Sequence, residues 1–280
     1  MTTAAIVGLG RMGGPMASHV IAAGIATSVF DVDPSARAAF ATTDARIASS
    51  PADAGADARV ACVVVFDDAQ ARDVVAGQHG LLSSMESGAV IAIHSTVSPG
   101  TMRELNRVGA THGIDVIDAG ISGGETGAAA GTLVTMVGGP AAALRTARPV
   151  FEAFSKEVIH AGDLGSGLAL KLARNTTGYI CMSAVHEALQ IAVAAGVDPK
   201  VLRHTIAETG VFDQALSPFM LGGPQPLGDD EPTTMRDLLE HLCALGEKDL
   251  DQALELADEL QQSLPVTSAT RRSFHSVTRL

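Results

Sequence analysis

The chain has 280 residues, 46% of them hydrophobic and only 3% aromatic, with 31 acidic against 19 basic side chains and a net charge of −12. That length is more than one average domain needs and suits two. The charge repels nucleic-acid phosphates and anionic lipid heads, and no apolar run is long enough to span a bilayer, so neither a nucleic acid nor a membrane is an expected partner.

The first apolar run, residues 4–7, follows Met1 almost directly, without the basic start and longer apolar core of a signal peptide. Cys62, Cys181 and Cys243 lie far apart, with neither the paired spacing of a zinc site nor an even disulfide framework. A cytoplasmic protein with buried reduced thiols and no metal is expected. From residue 3 to about 162, short β-branched runs alternate with alanine-rich stretches of helical length, the pattern of parallel strands joined by covering helices. Strands are predicted at 4–7, 27–31, 60–66, 90–94, 115–118, 133–137 and 158–160. Pro15, Pro34, Pro99 and Pro140 stand where helices begin, a position that needs no N–H. Beyond Gly167 the β-branched runs stop, and helices are predicted at 168–195, 199–208 and 234–264, the last with a break near Gly246. Residues 221–232, rich in Gly, Pro and acid, read as a loop. The expected architecture is an N-terminal Rossmann-type, doubly wound, mostly parallel α/β sheet over 1–162 and an all-α domain over 163–280. The first helix of that second domain, about 40 Å long, exceeds what a small domain needs and is expected to pack on the first domain or on a partner subunit.

The run Ile6-Val7-Gly8-Leu9-Gly10-Arg11-Met12-Gly13 places a G-x-G-x-x-G after a strand and at the opening of a helix. Gly8 permits a tight turn, Gly10 lets the backbone approach a pyrophosphate, and Gly13 lets helix pack close to strand. Asp31 ends the next strand, where a carboxylate accepts hydrogen bonds from ribose hydroxyls. Val32 and Asp33 follow it rather than an arginine, so a 2′-phosphate is repelled and NAD is favoured over NADP.

Residues 118–127, DAGISGGETG, are glycine-rich. They read equally as a concavity in which Ser122 and free N–H groups take a carboxylate, or as a hairpin-like connection to Leu133. Gly165-Ser166-Gly167 reads as a flexible lead into a helix on which Lys171 and Asn175, four apart, share a face. Gly178 and Met182 continue that face, a small apolar surface that desolvates an ammonium and lowers its pKa, so that a neutral amine can accept a proton. Taken alone, Lys171 reads far more readily as a solvated surface lysine.

GLGRMG at 8–13, DAGISGG with GAAAGTL through Leu133, GSGLALKLARN at 165–175 and KDL at 248–250 occur in the order, and over nearly the full length, seen in the β-hydroxyacid dehydrogenase family, which the chain resembles. The resemblance implies NAD-dependent oxidation of a small 3-hydroxy acid, 3-hydroxyisobutyrate or similar, to its semialdehyde. It further implies Lys171 as general acid/base, Asn175 fixing the substrate beside it, and Ser122, Gly123 and Gly124 holding the substrate carboxylate. Lys248 is implied near the nicotinamide, with Ser95 and Thr96 in a loop beside the cofactor and Phe66 with Asp67 in a flanking turn. A homodimer or homotetramer is expected. Two other functions remain open: an aldehyde-acid reductase acting on tartronate semialdehyde, succinic semialdehyde or glyoxylate, and a non-catalytic dinucleotide-binding regulator, against which Lys171 and Asn175 on one face both speak.

The chain departs from the family pattern at three places. Gly120-Ile121 replaces the usual Pro-Val, which is expected to loosen the carboxylate loop without removing its donors. His94 replaces a common acid before Ser95 and, ending a strand, reads as a structural or cofactor-edge residue rather than a second base. Arg174 stands where the hydroxyisobutyrate branch commonly has asparagine. It either pairs with acids such as Asp229 and Glu231 or with a neighbouring subunit, or its planar fork reads a second anionic or polar group on the substrate.

Overall fold

A computed structural model of the chain describes residues 2–215, 225–228 and 232–280. The chain divides into two compact units, Met1–Asn175 and Thr176–Leu280. In the first, eight strands form one sheet: β1 (Thr3–Val7), β2 (Ala26–Phe30), β3 (Arg46–Ile47), β4 (Val60–Val63), β5 (Val90–Ile93), β6 (Asp115–Ser122), β7 (Leu133–Gly138) and β8 (Ser155–Gly162). Their spatial order is β3-β2-β1-β4-β5-β6-β7-β8, and neighbours are parallel apart from the antiparallel β6–β7 pair. The helices are α1 (Gly13–Ala22), α2 (Pro34–Ala38), α3 (Pro51–Gly55), α4 (Asp68–Ala76), α5 (Pro99–Thr111), α6 (Gly124–Ala130) and α7 (Ala141–Glu152). They are followed by α8 (Ser166–Ala194), α9 (Pro199–Thr209), α10 (Val211–Ala215), α11 (Thr233–Glu259) and α12 (Pro265–Val277). This is the expected Rossmann-type sheet followed by a helical region.

Alternate residues of each inner strand feed opposite faces of the sheet, so each face carries its own core. Ala4 and Ile6 of β1 and Val60 and Cys62 of β4 join one cluster with Met16, Phe151 and Phe154. Ala5, Val7, Ala61 and Val63 join the other with Leu81, Met102 and Leu168. Burial on both faces explains why these strands read as unbroken apolar runs. The strand order reverses direction between β1 and β4, which opens a crevice beyond their carboxyl ends, the usual place for a ligand in a doubly wound sheet.

Several boundaries differ from the sequence reading. The strand predicted at 115–118 continues to Ser122, because Asp118–Ser122 pair with Gly138–Val134 of β7; the glycine-rich stretch is strand, then helix α6, and it joins the antiparallel β6–β7 pair as the hairpin-like connection to Leu133. Residues 158–160 are the middle of β8, whose exposed Lys156 and Glu157 mask it as a strand. Pro34 and Pro99 do begin helices, whereas Pro15 lies within the first turn of α1 and Pro140 caps α7.

In the second unit, α11 runs through Gly246 without a break. A Cβ there would collide with the Phe274 ring of α12, so this glycine serves close helix packing. Helix α12, absent from the sequence reading, starts at Pro265 and is held by Glu187, whose buried carboxylate accepts from Val266 N at 2.6 Å and Thr267 N at 2.8 Å. Most of the predicted 221–232 loop, with Asp229 and Glu231, lies outside the described residues. Cys62 and Cys243 are buried and Cys181 partly so, all three free, and burial drives the Cys62 thiol pKa far up. Among the described residues, no helix is long and apolar enough to cross a membrane.

Candidate active site

The crevice at the β1–β4 reversal is a cavity of about 590 Å³. Gly8, Gly10, Arg11, Met12 and Gly13 form one wall, Asp31 and Val32 a second, and Phe66 with Gln70 a third. The three motif glycines are needed for three different reasons. Gly8 has φ +96°, and a Cβ there would strike the Val64 carbonyl oxygen. A Cβ on Gly13 would strike the Gly8 carbonyl oxygen, so helix and loop can meet only without it. A Cβ on Gly10 would meet nothing within 4 Å, which leaves the backbone open to a pyrophosphate at the N-terminus of α1. Asp31, the first residue beyond β2, accepts from Leu9 N at 2.6 Å and from Asp33 N at 2.8 Å, and it still borders the cavity. These features fit a dinucleotide.

The second part of the site is built on β6. Side chains two apart on a strand share a face, so Asp118, Gly120 and Ser122 point the same way, opposite to Ile117, Ala119 and Ile121, which enter the core. Asp118 is 2% exposed and accepts from Gly165 N and Leu168 N, both at 2.6 Å. It therefore holds the start of α8 against the strand, and the predicted flexible lead at 165–167 is a pinned helix terminus. Gly167 lies so close to β7 that a Cβ would strike the Met136 carbonyl oxygen.

One turn beyond the pinned Leu168, the stem of half-buried Lys171 lies over Gly120; a Cβ built on Gly120 would sit 2.8 Å from Lys171 Cδ. Desolvation lowers the Lys171 pKa from its ordinary value. The surface found against the stem is strand β6, not the Gly178–Met182 stretch, where Met182 is largely exposed. Asn175 follows four residues later, half-buried, and its Oδ1 accepts from Arg174 Nη1 at 3.3 Å. Ser122 ends β6, and Gly123 (φ +136°) and Gly124 (φ +62°) follow in backbone conformations that favour glycine. Gly120, which replaces the usual proline, lies inside a paired strand, opposite Met136 of β7. Arg11 Nη1 reaches Glu125 Oε1 at 2.9 Å, linking the cofactor loop to the segment after Ser122 through an exposed pair of small energetic weight.

The remaining candidates are more scattered. Ser95 is buried, and its hydroxyl accepts from Val65 N at 2.8 Å and donates to Val65 O at 2.6 Å, which braces the turn carrying exposed Phe66. Thr96 is exposed and does not line the cavity. Lys248 belongs to the second unit, on α11, with Asp249 Oδ1 at 3.1 Å. His94 is 1% exposed: its Nδ1 lies 2.7 Å from the Ala119 carbonyl oxygen, its ring stands edge-on to Phe151 and Phe154, and among the described residues buried Nε2 has no partner. The short Nδ1 contact requires the proton on Nδ1, and burial holds the ring pKa down at about 4. His94 is thus a neutral prop beneath β6. Asp118 received no individual role from the sequence, and Gly120 only that of loosening the loop; the period-two reading of a strand through Ser122 would have placed both on one face.

Residues 3–162 match the profile described as the NAD binding domain of 6-phosphogluconate dehydrogenase. The chain is 34% identical over 275 residues to the 3-hydroxyisobutyrate dehydrogenase of Pseudomonas aeruginosa, covering 98% of this chain and 91% of that protein. It is equally 34% identical over 269 residues to the NAD-dependent L-serine dehydrogenase of the same organism, covering 96% and 89%. An oxidoreductase crystal structure from Mycobacterium avium superposes with a TM-score of 0.86 at 33% identity, covering 100% of this chain and 99% of that one. With an NAD-binding first domain and relatives that span it from end to end, this chain belongs to the β-hydroxyacid dehydrogenase family of oxidoreductases.

Proposed function

We propose that the protein oxidises a small 3-hydroxy acid of the 3-hydroxyisobutyrate kind to its semialdehyde, with NAD preferred over NADP and Lys171 as general acid/base. The observation that carries this reading is the Lys171 ammonium, partly desolvated, its stem laid on Gly120, one helical turn from Asn175 and on the strand face that ends in Ser122. When bound, NAD supplies the hydride acceptor. The Ser122 hydroxyl and the N–H groups of Gly123 and Gly124 hold the substrate carboxylate, and Asn175 orients the hydroxyl towards Lys171. Neutral Lys171 Nζ takes the hydroxyl proton as the carbinol hydrogen departs, so negative charge does not build on the oxygen. Run backwards, the same groups reduce an aldehyde acid, with Lys171 donating. Asp31, followed by Val32 and Asp33, disfavours a 2′-phosphate. Ser95, Thr96, Phe66 and, from α11, Lys248 serve the cofactor. Arg174, beside Asn175, reads a second polar group on the substrate. The division at 162/163 separates an NAD-binding from a substrate and assembly domain. The free cysteines suit a reducing cytoplasm, and exposed Tyr179, Ile180 and Met182 of α8 suit a homodimer or homotetramer.

The test is steady-state turnover of NAD with 3-hydroxyisobutyrate, serine and a hydroxy dicarboxylic acid. Lys171→Ala should lower kcat roughly 10²–10⁴-fold, the usual worth of a general acid/base, with NADH binding unchanged. Asn175→Ala should damage both KM and kcat, and Arg174→Asn should weaken only the dicarboxylic substrate. Near-normal turnover by Lys171→Ala would overturn the assignment.

A further inference from the structure

We propose that Gly120 is a positioning residue for the reaction: by offering no side chain on the Asp118–Ser122 face of β6, it lets the Lys171 stem lie flat on the strand and so sets where the ammonium stands. The inference rests on the reading of Lys171 as acid/base, but the contact behind it does not.

Three observations carry it. A Cβ on Gly120 would lie 2.8 Å from Lys171 Cδ, 3.1 Å from its Cβ and 3.5 Å from its Cγ, so in this chain the aliphatic stem fills the space that a Cβ, such as that of the proline usual in the family, would occupy. Gly120 is not among the glycines with positive φ, so its backbone accepts an L-residue without strain, and neither a turn nor a left-handed conformation accounts for glycine here. The two backbones that meet at this point are both held. Gly120 pairs with Met136 in the β6–β7 ladder, and the start of α8 is tied to the same strand face by Asp118 through Gly165 N and Leu168 N. A methyl group at position 120 therefore presses on Lys171 Cδ, which turns aside and lifts the amine towards water, and on Lys171 Cβ at 3.1 Å, which gives way only if α8 shifts by a few tenths of an ångström. On one strand face, three residues spaced by two then have separate tasks: Asp118 sets the helix, Gly120 sets the lysine, and Ser122 stands at the substrate end.

The experiment is Gly120→Ala in the full-length protein. A displaced proton acceptor with an intact carboxylate clamp should lower kcat roughly 10–100-fold, the scale of an ångström-sized misplacement, while KM for the hydroxy acid and NADH binding stay within about threefold. The limb of kcat that rises with pH as Lys171 loses its proton should move to higher pH, since a rehydrated ammonium holds its proton more tightly. In a Lys171→Ala background, Gly120→Ala should cost no further turnover, because the stem it displaces is gone. The Lys171 amine is also titrated directly, by ¹³C NMR of the reductively methylated protein, a readout independent of turnover. An upward shift in Gly120→Ala supports the positioning contact even if Lys171→Ala proves fully active, in which event the acid/base reading alone fails. An unchanged amine titration and kcat would overturn the proposal. So would loss of folding, which would mean that the strand yields rather than the stem.

Discussion

The cofactor crevice and the β6–α8 junction are made from the same two devices, an aspartate that accepts two backbone N–H groups and glycines that admit a neighbour too close for a side chain. At the crevice, Asp31 takes Leu9 N and Asp33 N, and Gly8 and Gly13 admit Val64 and the loop itself. At the junction, Asp118 takes Gly165 N and Leu168 N, and Gly120 and Gly167 admit Lys171 and Met136. The difference is solvent. Each carboxylate has one backbone N–H on each oxygen, but Asp31 borders a cavity, where its remaining lone pairs can meet a ligand, whereas Asp118 is 2% exposed and sealed within the chain. One set of parts thus makes a binding site where it meets an opening, and a rigid mount where it is sealed.

The largest effect should come from breaking the sealed side. Asp118→Ala leaves two N–H groups without their acceptor at the head of α8, a loss of about 3 kcal/mol on the usual scale for buried unsatisfied donors, or a melting point lower by roughly 5–10 °C. Turnover should fall with it, because the helix that carries Lys171 loses its anchor. A melting point within a degree or two of the parent would show that Asp118 is not the mount.

The open side should behave in the opposite manner, with a smaller energy and a ligand-specific one. Asp31→Asn should weaken NADH binding about tenfold, roughly 1.4 kcal/mol, narrow the NADH-over-NADPH preference, and change the melting point of the ligand-free protein little. Isothermal titration with both nucleotides decides it. Binding of NADPH by the parent protein as tightly as NADH would remove Asp31 as the discriminating residue.

The smallest effect separates the prop under β6 from the chemistry above it. His94 is neutral in the fold, with its pKa held near 4 against 6.5 in its ordinary state. Its contribution to stability is therefore complete above pH 6.5 and is lost as the pH falls towards 4, because the unfolded chain takes up a proton that the folded one refuses. Between pH 6 and pH 5 the loss should be about 1 kcal/mol. His94→Phe, which removes the titrating ring, should lose stability less steeply over that interval while being less stable at pH 7, where the Ala119 carbonyl has lost its donor. Parallel pH profiles from thermal unfolding of the two proteins would refute this account.

The parts of the site visible in the sequence are those whose chemistry is local. A glycine pattern between a strand and a helix, and an acid at the end of the next strand, carry their reason within about twenty-five residues of chain. Lys171 and Asn175 share a face because helix geometry alone puts them there. The junction was hidden for two reasons. The partners of Asp118 lie some fifty residues downstream, and the glycines of 120–124 have the composition of a loop although β7 pairs the first of them into the sheet. Gly246 misled in the same way, since its reason is the ring of Phe274 on another helix.

By itself, the sequence determined the alternation of strands and helices, the dinucleotide loop and the pairing of an amine with an amide on one helix face, all of which follow from side-chain periodicity and backbone freedom. Only the tertiary structure decided that β6 extends to Ser122, that Asp118 clamps α8 and that Gly120 lies under Lys171. Each of these depends on a contact between segments far apart in the chain, where burial and close approach, rather than local propensity, select the residue.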